Sequence, residues 1–235
     1  MAALPEFGLP TPIDCTLTYR GDEEWADAWK KHWKPVEFGK RLVIKPSWET
    51  YDGDPDRLIV ELDPGMAFGT GGHPTTSLCL VALEDYLKPG DVVADIGTGS
   101  GILALAAAKL GAARVHATDI DKLPRDISRE NVAINRVEDV VVVHEMDAFD
   151  LAAQDCDVIV ANILASTVVE LLPSIATRIN PGGVFIGSGI VEEKLQDVLD
   201  ALPANGFDLL EVRSDEIWRA VIAQRWKPVP IEPTG

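Results

Sequence analysis

The stretch Asp95-Ile96-Gly97-Thr98-Gly99-Ser100-Gly101 carries three glycines at alternate positions. A turn with so little side-chain bulk exposes backbone N–H groups and suits a nucleotide-like ligand lying against the main chain. Asp119 follows at the distance where a carboxylate accepts hydrogen bonds from ribose hydroxyls, and Asp95 sets a second carboxylate just before the turn. Further on, Asn162 closes the apolar run 158–161. Its side-chain carbonyl, with the backbone oxygen after it, can accept two N–H bonds from an amine and leave the nitrogen lone pair aimed at an electrophile. The competing reading makes Asn162 the N-cap of the helix that follows. The stretch 63–76 contributes four glycines, Phe68 as an aromatic platform and Thr76 as a hydroxyl donor; His73, followed by Pro74, reads either as a ligand contact or as a helix cap.

The glycines fit two frames. Gly97, Gly99 and Gly101 make G-x-G-x-G, the pattern of S-adenosylmethionine enzymes, whereas Gly99-x-Gly101-x-x-Ala104 fits the dinucleotide fingerprint. Asp95 favours the first. A dinucleotide brings an anionic pyrophosphate to this turn, which a neighbouring carboxylate repels, while a cationic sulfonium and amine tolerate it.

These residues need a scaffold, and the hydrophobic pattern supplies one. The run 92–96 reads as a buried parallel strand, and the Ala- and Leu-rich 102–110 as a helix starting straight after the turn. Strands are expected at 114–119, 140–145, 157–161 and 184–188, helices at 75–87, 124–135, 166–180 and 191–202. Residues 209–214 and 217–225 are two further strands with almost no connection, so they must pair as an antiparallel hairpin. The expectation is an α/β, Rossmann-like fold of the class I S-adenosylmethionine methyltransferase type, a mostly parallel seven-stranded sheet ending in an antiparallel hairpin. Residues 1–21 read as a loose lead-in and 22–62 as a small α+β preface, with Trp25, Trp29 and Trp33 on one helix face and strands at 41–46 and 58–62. The methyltransferase domain is placed at 63–226 and a Pro-rich tail at 227–235.

Composition narrows the partners. A net charge of −17 argues against direct nucleic-acid binding and suits a basic protein substrate. Cys15, Cys79 and Cys156 match no metal-ligand spacing, which leads to an expectation of no metal and a reduced, cytoplasmic setting. No apolar run approaches a membrane span.

The stretch 63–77, Asp-Pro-Gly-Met-Ala-Phe-Gly-Thr-Gly-Gly-His-Pro-Thr-Thr-Ser, resembles the signature of the bacterial PrmA-type methyltransferases. Residues 95–101, Asp119-Ile120-Asp121 and Ala161-Asn162-Ile163-Leu164-Ala165 are similar to further motifs of that family, and the likeness extends over roughly residues 22–225. The resemblance implies S-adenosylmethionine as cofactor and methylation of lysine or N-terminal amines of a large-subunit ribosomal protein, the eleventh of that subunit. It also implies that Thr76, Gly97, Asp119 and Asn162 contact the cofactor, with Phe68 beside its adenine; Asp95, Gly99 and Gly101 complete the cofactor-binding set and Asn162 is the catalytic candidate. Two departures stand out. Members carry an N-terminal substrate-gripping domain that this chain is expected to lack, and Lys122-Leu123-Pro124-Arg125 replaces the family's usual opening of one helix. A nicotinamide-dependent oxidoreductase and a catalytically silent cofactor-binding module are the alternative readings.

Overall fold

The computed structural model describes residues 33–63, 72–145 and 155–227. The chain divides into two units, 1–34 and 35–235; of the first, only Trp33 and Lys34 are described, so the helix expected over 22–33 lies almost wholly outside the described residues. Phe68 and most of the glycine-rich stretch also lie outside them.

Within 35–235 the centre is a seven-stranded sheet. Its strands are β4 (Val92–Ile96), β5 (Arg114–Thr118), β6 (Val141–His144), β7 (Cys156–Asn162), β8 (Ile179–Val191), β9 (Phe207–Asp215) and β10 (Trp218–Arg225), in the order β6-β5-β4-β7-β8-β10-β9. Pairing is parallel from β6 to β8, and β10 runs antiparallel to both β8 and β9. The expected closing hairpin is therefore present. Helices α1 (Pro74–Tyr86), α2 (Ile102–Leu110), α3 (Lys122–Asn135), α4 (Ala165–Arg178) and α5 (Leu195–Ala204) complete the frame. On one face Ala94, Ile96, Ile159, Phe185 and Val221 pack with Val168, Leu172, Ile175 and Val198 of α4 and α5 in a continuous core.

From β4 the chain winds outward to β5 and β6, then returns to place β7 on the other flank of β4. That reversal is the topological switch point, the place in an open α/β sheet where neighbouring loops part and leave a crevice at the carboxyl ends of the strands. Gly97 follows β4 and Asn162 ends β7, so the two candidate motifs flank the crevice.

A second sheet precedes it: β1 (Val36–Phe38), β2 (Leu42–Lys45) and β3 (Leu58–Glu61), with β2 antiparallel to β1 and parallel to β3. It is tied to the larger layer by polar contacts. Glu84 of α1 accepts the Lys40 and Arg41 N–H groups (2.8 and 2.9 Å), and Asn135 of α3 pairs with both backbone groups of Glu61 (2.9 and 2.6 Å). Lys45, nearly buried, meets the Glu61 carboxylate at 2.7 Å across the parallel pair.

Some boundaries differ from expectation for local reasons. Helix α3 starts at Lys122 rather than 124, so Pro124 sits in the first turn, where an N–H has no intrahelical acceptor to lose. Strand β8 runs through Asn180-Pro181-Gly182-Gly183, expected as a turn; its pairing with β7 shifts register there, and Gly182 takes a φ of +85°. The residues expected to begin the next helix, 191–194, form the end of β8 and a short 3-10 turn.

Candidate functional site

The turn after β4 is built from conformations that favour glycine. Gly97, Gly99 and Gly101 have φ of 71, 56 and 88°. Space requires glycine as well at two of them: a Cβ on Gly97 would lie 2.7 Å from Ile163 Cγ2, and one on Gly101 2.7 Å from Ser128 Oγ. The backbone is held from several sides. Thr118 O accepts the N–H groups of Gly97 (2.9 Å) and Thr98 (2.8 Å), Gly101 N–H donates to Thr98 O (2.9 Å), and Gly99 N–H donates to Asp119 Oδ2 (3.0 Å). Asp119 Oδ1 accepts the Asp121 N–H at 3.1 Å, so each oxygen is oriented by one amide and keeps lone-pair capacity for further donors. Arg125 Nη1 donates to Asp119 O and Ile120 O, both at 2.8 Å, fixing the chain after β5.

Asp95 is fully buried. Its Oδ2 accepts Thr98 Oγ1–H at 2.7 Å and the Ala104 N–H at 3.0 Å. Gly101 is the N-cap of α2 and has no side chain to satisfy the helix's exposed amides; Asp95 does so from the preceding strand. Burial pushes its carboxyl up to about 7, against the opposing pull of the Thr98 and Ala104 hydrogen bonds. The second oxygen, Oδ1, is buried and has no hydrogen-bond partner among the described residues.

Across the crevice, Asn162 Nδ2 donates to Thr76 Oγ1 at 3.3 Å. The N-cap of α4 is Leu164, with no side-chain cap bond, so the reading of Asn162 as a helix cap is not what the structure adopts. The next residue is held closely: Ile163 N–H donates to Ser188 O (3.1 Å), and its carbonyl lies over Gly189, where a Cβ would approach within 2.3 Å. His73 does cap: it is the N-cap of α1, its Nδ1 accepts the Thr75 N–H, and its ring meets Trp218 edge-on at 4.9 Å.

The structure thus brings Asp95, Gly97, Gly99, Gly101 and Asp119 into one hydrogen-bonded turn, and joins Thr76 to Asn162 beside it. Phe68 lies outside the described residues. Sequence reading gave no role at the site to Arg125, Gly189 or the buried polar residues Ser128 and Asn131 of α3. The spacing of Ser128, Asn131 and Asn135 at i, i+3 and i+7, all uncharged in a helix otherwise rich in charge, was the available signal.

The donor set suits S-adenosylmethionine. Two carboxylates with unused lone pairs, one of them an orphaned buried oxygen, match a ligand that brings ribose hydroxyls and positive charge.

Residues 7–226 match the protein family described as Ribosomal protein L11 methyltransferase (PrmA). A ribosomal protein L11 methyltransferase of Geobacillus kaustophilus is 50% identical over 209 residues, which are 88% of this chain and 67% of that protein. The chain spans about two thirds of the length of the curated relatives it matches. The crystal structure of a ribosomal protein L11 methylase from Lactobacillus delbrueckii subsp. bulgaricus superposes with a TM-score of 0.77 at 36% identity, covering 83% of this chain and all of that one. A SAM-dependent O-methyltransferase from Thermotoga maritima shares the fold, with a TM-score of 0.55 at 16% identity over 64% of this chain and 65% of its own.

Proposed function

The chain belongs to the ribosomal protein L11 methyltransferase (PrmA) family, and on that premise we propose that it methylates amines, of lysine side chains or an N-terminus, on a basic large-subunit ribosomal protein in the cytoplasm. The observation that carries the reading is the pairing of a carboxylate-lined glycine turn with Asn162 across the switch point of a hairpin-closed sheet. The dinucleotide frame gains nothing from the comparisons.

S-adenosylmethionine supplies a methyl group on a sulfonium that is already a good leaving group. The protein therefore has to align and desolvate rather than activate. Asp119 is assigned the ribose hydroxyls, and the Gly97, Gly99 and Gly101 turn lets the ligand lie against backbone. Thr76 engages the Asn162 amide group, which directs Oδ1 toward an incoming amine; together with the backbone oxygen beyond it, that oxygen orients the nitrogen lone pair. Asp95 is assigned to the cationic end of the cofactor.

No base is assigned among these residues, so the amine loses its proton to solvent as it enters the crevice. Starting from an amine pKa near 10.4, that costs roughly 4 kcal/mol near neutral pH. The rate should accordingly climb with pH. The test is incubation of the chain with methyl-labelled S-adenosylmethionine and purified ribosomal protein L11, followed by mass spectrometry of the product. Mass increments of one methyl on lysine or the N-terminus are expected. Cofactor binding with no transfer to any ribosomal protein would replace this reading with that of a silent binding module.

A further inference from the structure

Helix α3 turns an uncharged polar face inward: Ser128 and Asn131 are fully buried and Asn135 nearly so. Asn135 splices the helix to β3 through Glu61. Asn131 does something different. Its Oδ1 accepts the Asp63 N–H (2.9 Å), while its Nδ2 donates to Asp63 O (3.2 Å) and to Ser100 O (2.9 Å). One carboxamide therefore joins the middle of the glycine turn to the residue from which the chain runs into the glycine-rich stretch 64–72.

Glycines on both sides of Ser100 leave little steric resistance to rotation of its peptide planes. The plane between Ser100 and Gly101 is pinned at its N–H by Thr98 O (2.9 Å) and at its carbonyl by Asn131. Without Asn131 that buried carbonyl would lose this partner, and a flip of the plane would redirect the amides of the turn. We infer that Asn131 is a positioning residue for methyl transfer, holding the glycine turn in its cofactor-ready conformation and in register with the segment after β3. The inference rests on the S-adenosylmethionine reading above and names a residue outside the motifs that carried it.

The test compares Asn131→Ala with Asn135→Ala in the full chain. Both remove a buried carboxamide from one helix face, and both should lower Tm. Asn131→Ala should weaken S-adenosylmethionine binding at least about tenfold by calorimetry, equivalent to about 1.4 kcal/mol, while Asn135→Ala stays within about twofold. In the ligand-free protein, amide exchange at Gly101 and Ala104 should accelerate about tenfold or more in Asn131→Ala only. Asn131→Asp supplies a second variant. Its ionised carboxylate lacks the donor that Ser100 O requires, and protonation restores one. Its affinity relative to the parent chain should therefore recover as pH is lowered toward 5. Affinity and exchange in Asn131→Ala matching those of Asn135→Ala would overturn the positioning role. Failure of the parent chain to bind S-adenosylmethionine would overturn the cofactor reading instead, and the exchange comparison would still decide the role of Asn131.

Discussion

Asp95 should make this protein less stable as pH rises through neutrality, and Asp95→Asn should remove that effect. The carboxyl is fully buried and held near 7, compared with an ordinary value of 3.8. Between these two values the folded state binds more protons at this position than the unfolded state does. The associated stability is complete below about pH 4 and is lost as pH climbs through 7. The slope for one proton is about 1.36 kcal/mol per pH unit, so the loss between pH 5 and 8 is roughly 2–3 kcal/mol. Asparagine keeps an oxygen to accept from Thr98 and Ala104 but has no proton to exchange. Urea unfolding of both chains at pH 5, 6, 7 and 8, taken as the difference between them, cancels every other titrating group, including His116 and His144, whose values burial lowers. The parent chain should lose roughly 2–3 kcal/mol relative to the variant across the series. A difference that stays constant with pH would show that Asp95 is ionised throughout, and that the Thr98 and Ala104 hydrogen bonds outweigh its burial.

Three further outcomes are expected. Asp119→Ala should raise the dissociation constant for S-adenosylmethionine ten- to hundredfold by calorimetry, because hydrogen bonds to a charged acceptor contribute about 1.5–3 kcal/mol; unchanged affinity would remove Asp119 from the ribose site. Asn162→Ala should lower kcat more than it weakens cofactor binding, with the parent's rise of rate with pH retained; normal turnover at saturating substrate would end its catalytic assignment. Gly189→Ala should cost roughly 2–5 kcal/mol in chemical denaturation, since φ is +83° and the new Cβ would sit 2.3 Å from Ile163 O; a loss below about 1 kcal/mol would mean that the segment 162–164 relaxes freely.

How much of this was legible depended on whether the cause was local. The boundaries of β4 and α2 agree with the reading because an apolar run, three glycines and an Ala-rich stretch are signals contained in their own residues. The hairpin of β9 and β10 follows from chain length alone, because so short a connection cannot cross over to a parallel partner. Strand β1 was not legible: Val36 and Glu37 are exposed, and the strand exists through pairing with β2, across a turn whose Lys40 and Arg41 amides are held by Glu84, distant in sequence. Asn162 was read as a site residue, with a helix cap as the competing reading. The cap is excluded because Leu164 takes the N-cap position of α4, and the contact of Asn162 with Thr76 comes from 86 residues away. The turn expected at 180–183 survives in part: pairing with β7 skips from Ile179 to Val184 and pairing with β10 reaches only Val184, so these residues form an irregularity inside β8 rather than a break between elements.

Asn131 was hidden by the same logic, and its concealment says something about how such a site must be built. A polar residue in an amphipathic helix reads as solvent-facing, because burying a carboxamide is unfavourable unless its hydrogen bonds are made. Here they are made, to backbone groups that no sequence pattern places nearby. An apolar residue at position 131 could pack α3 equally well, yet it would leave the Ser100 carbonyl without that bond. The glycine turn has to be bare for a ligand to lie against its backbone, and its one internal bond, from Gly101 N–H to Thr98 O, leaves most of its shape to be fixed by other elements. Its conformation is instead imposed from outside by Asp95 of β4, Thr118 of β5, Asp119 just beyond it, and Asn131 of α3. On the proposed reading the conspicuous glycines mark where the ligand lies; the way Asp95, Thr118, Asp119 and Asn131 hold the turn in shape for it is spread over separate elements and emerges only from the folded arrangement.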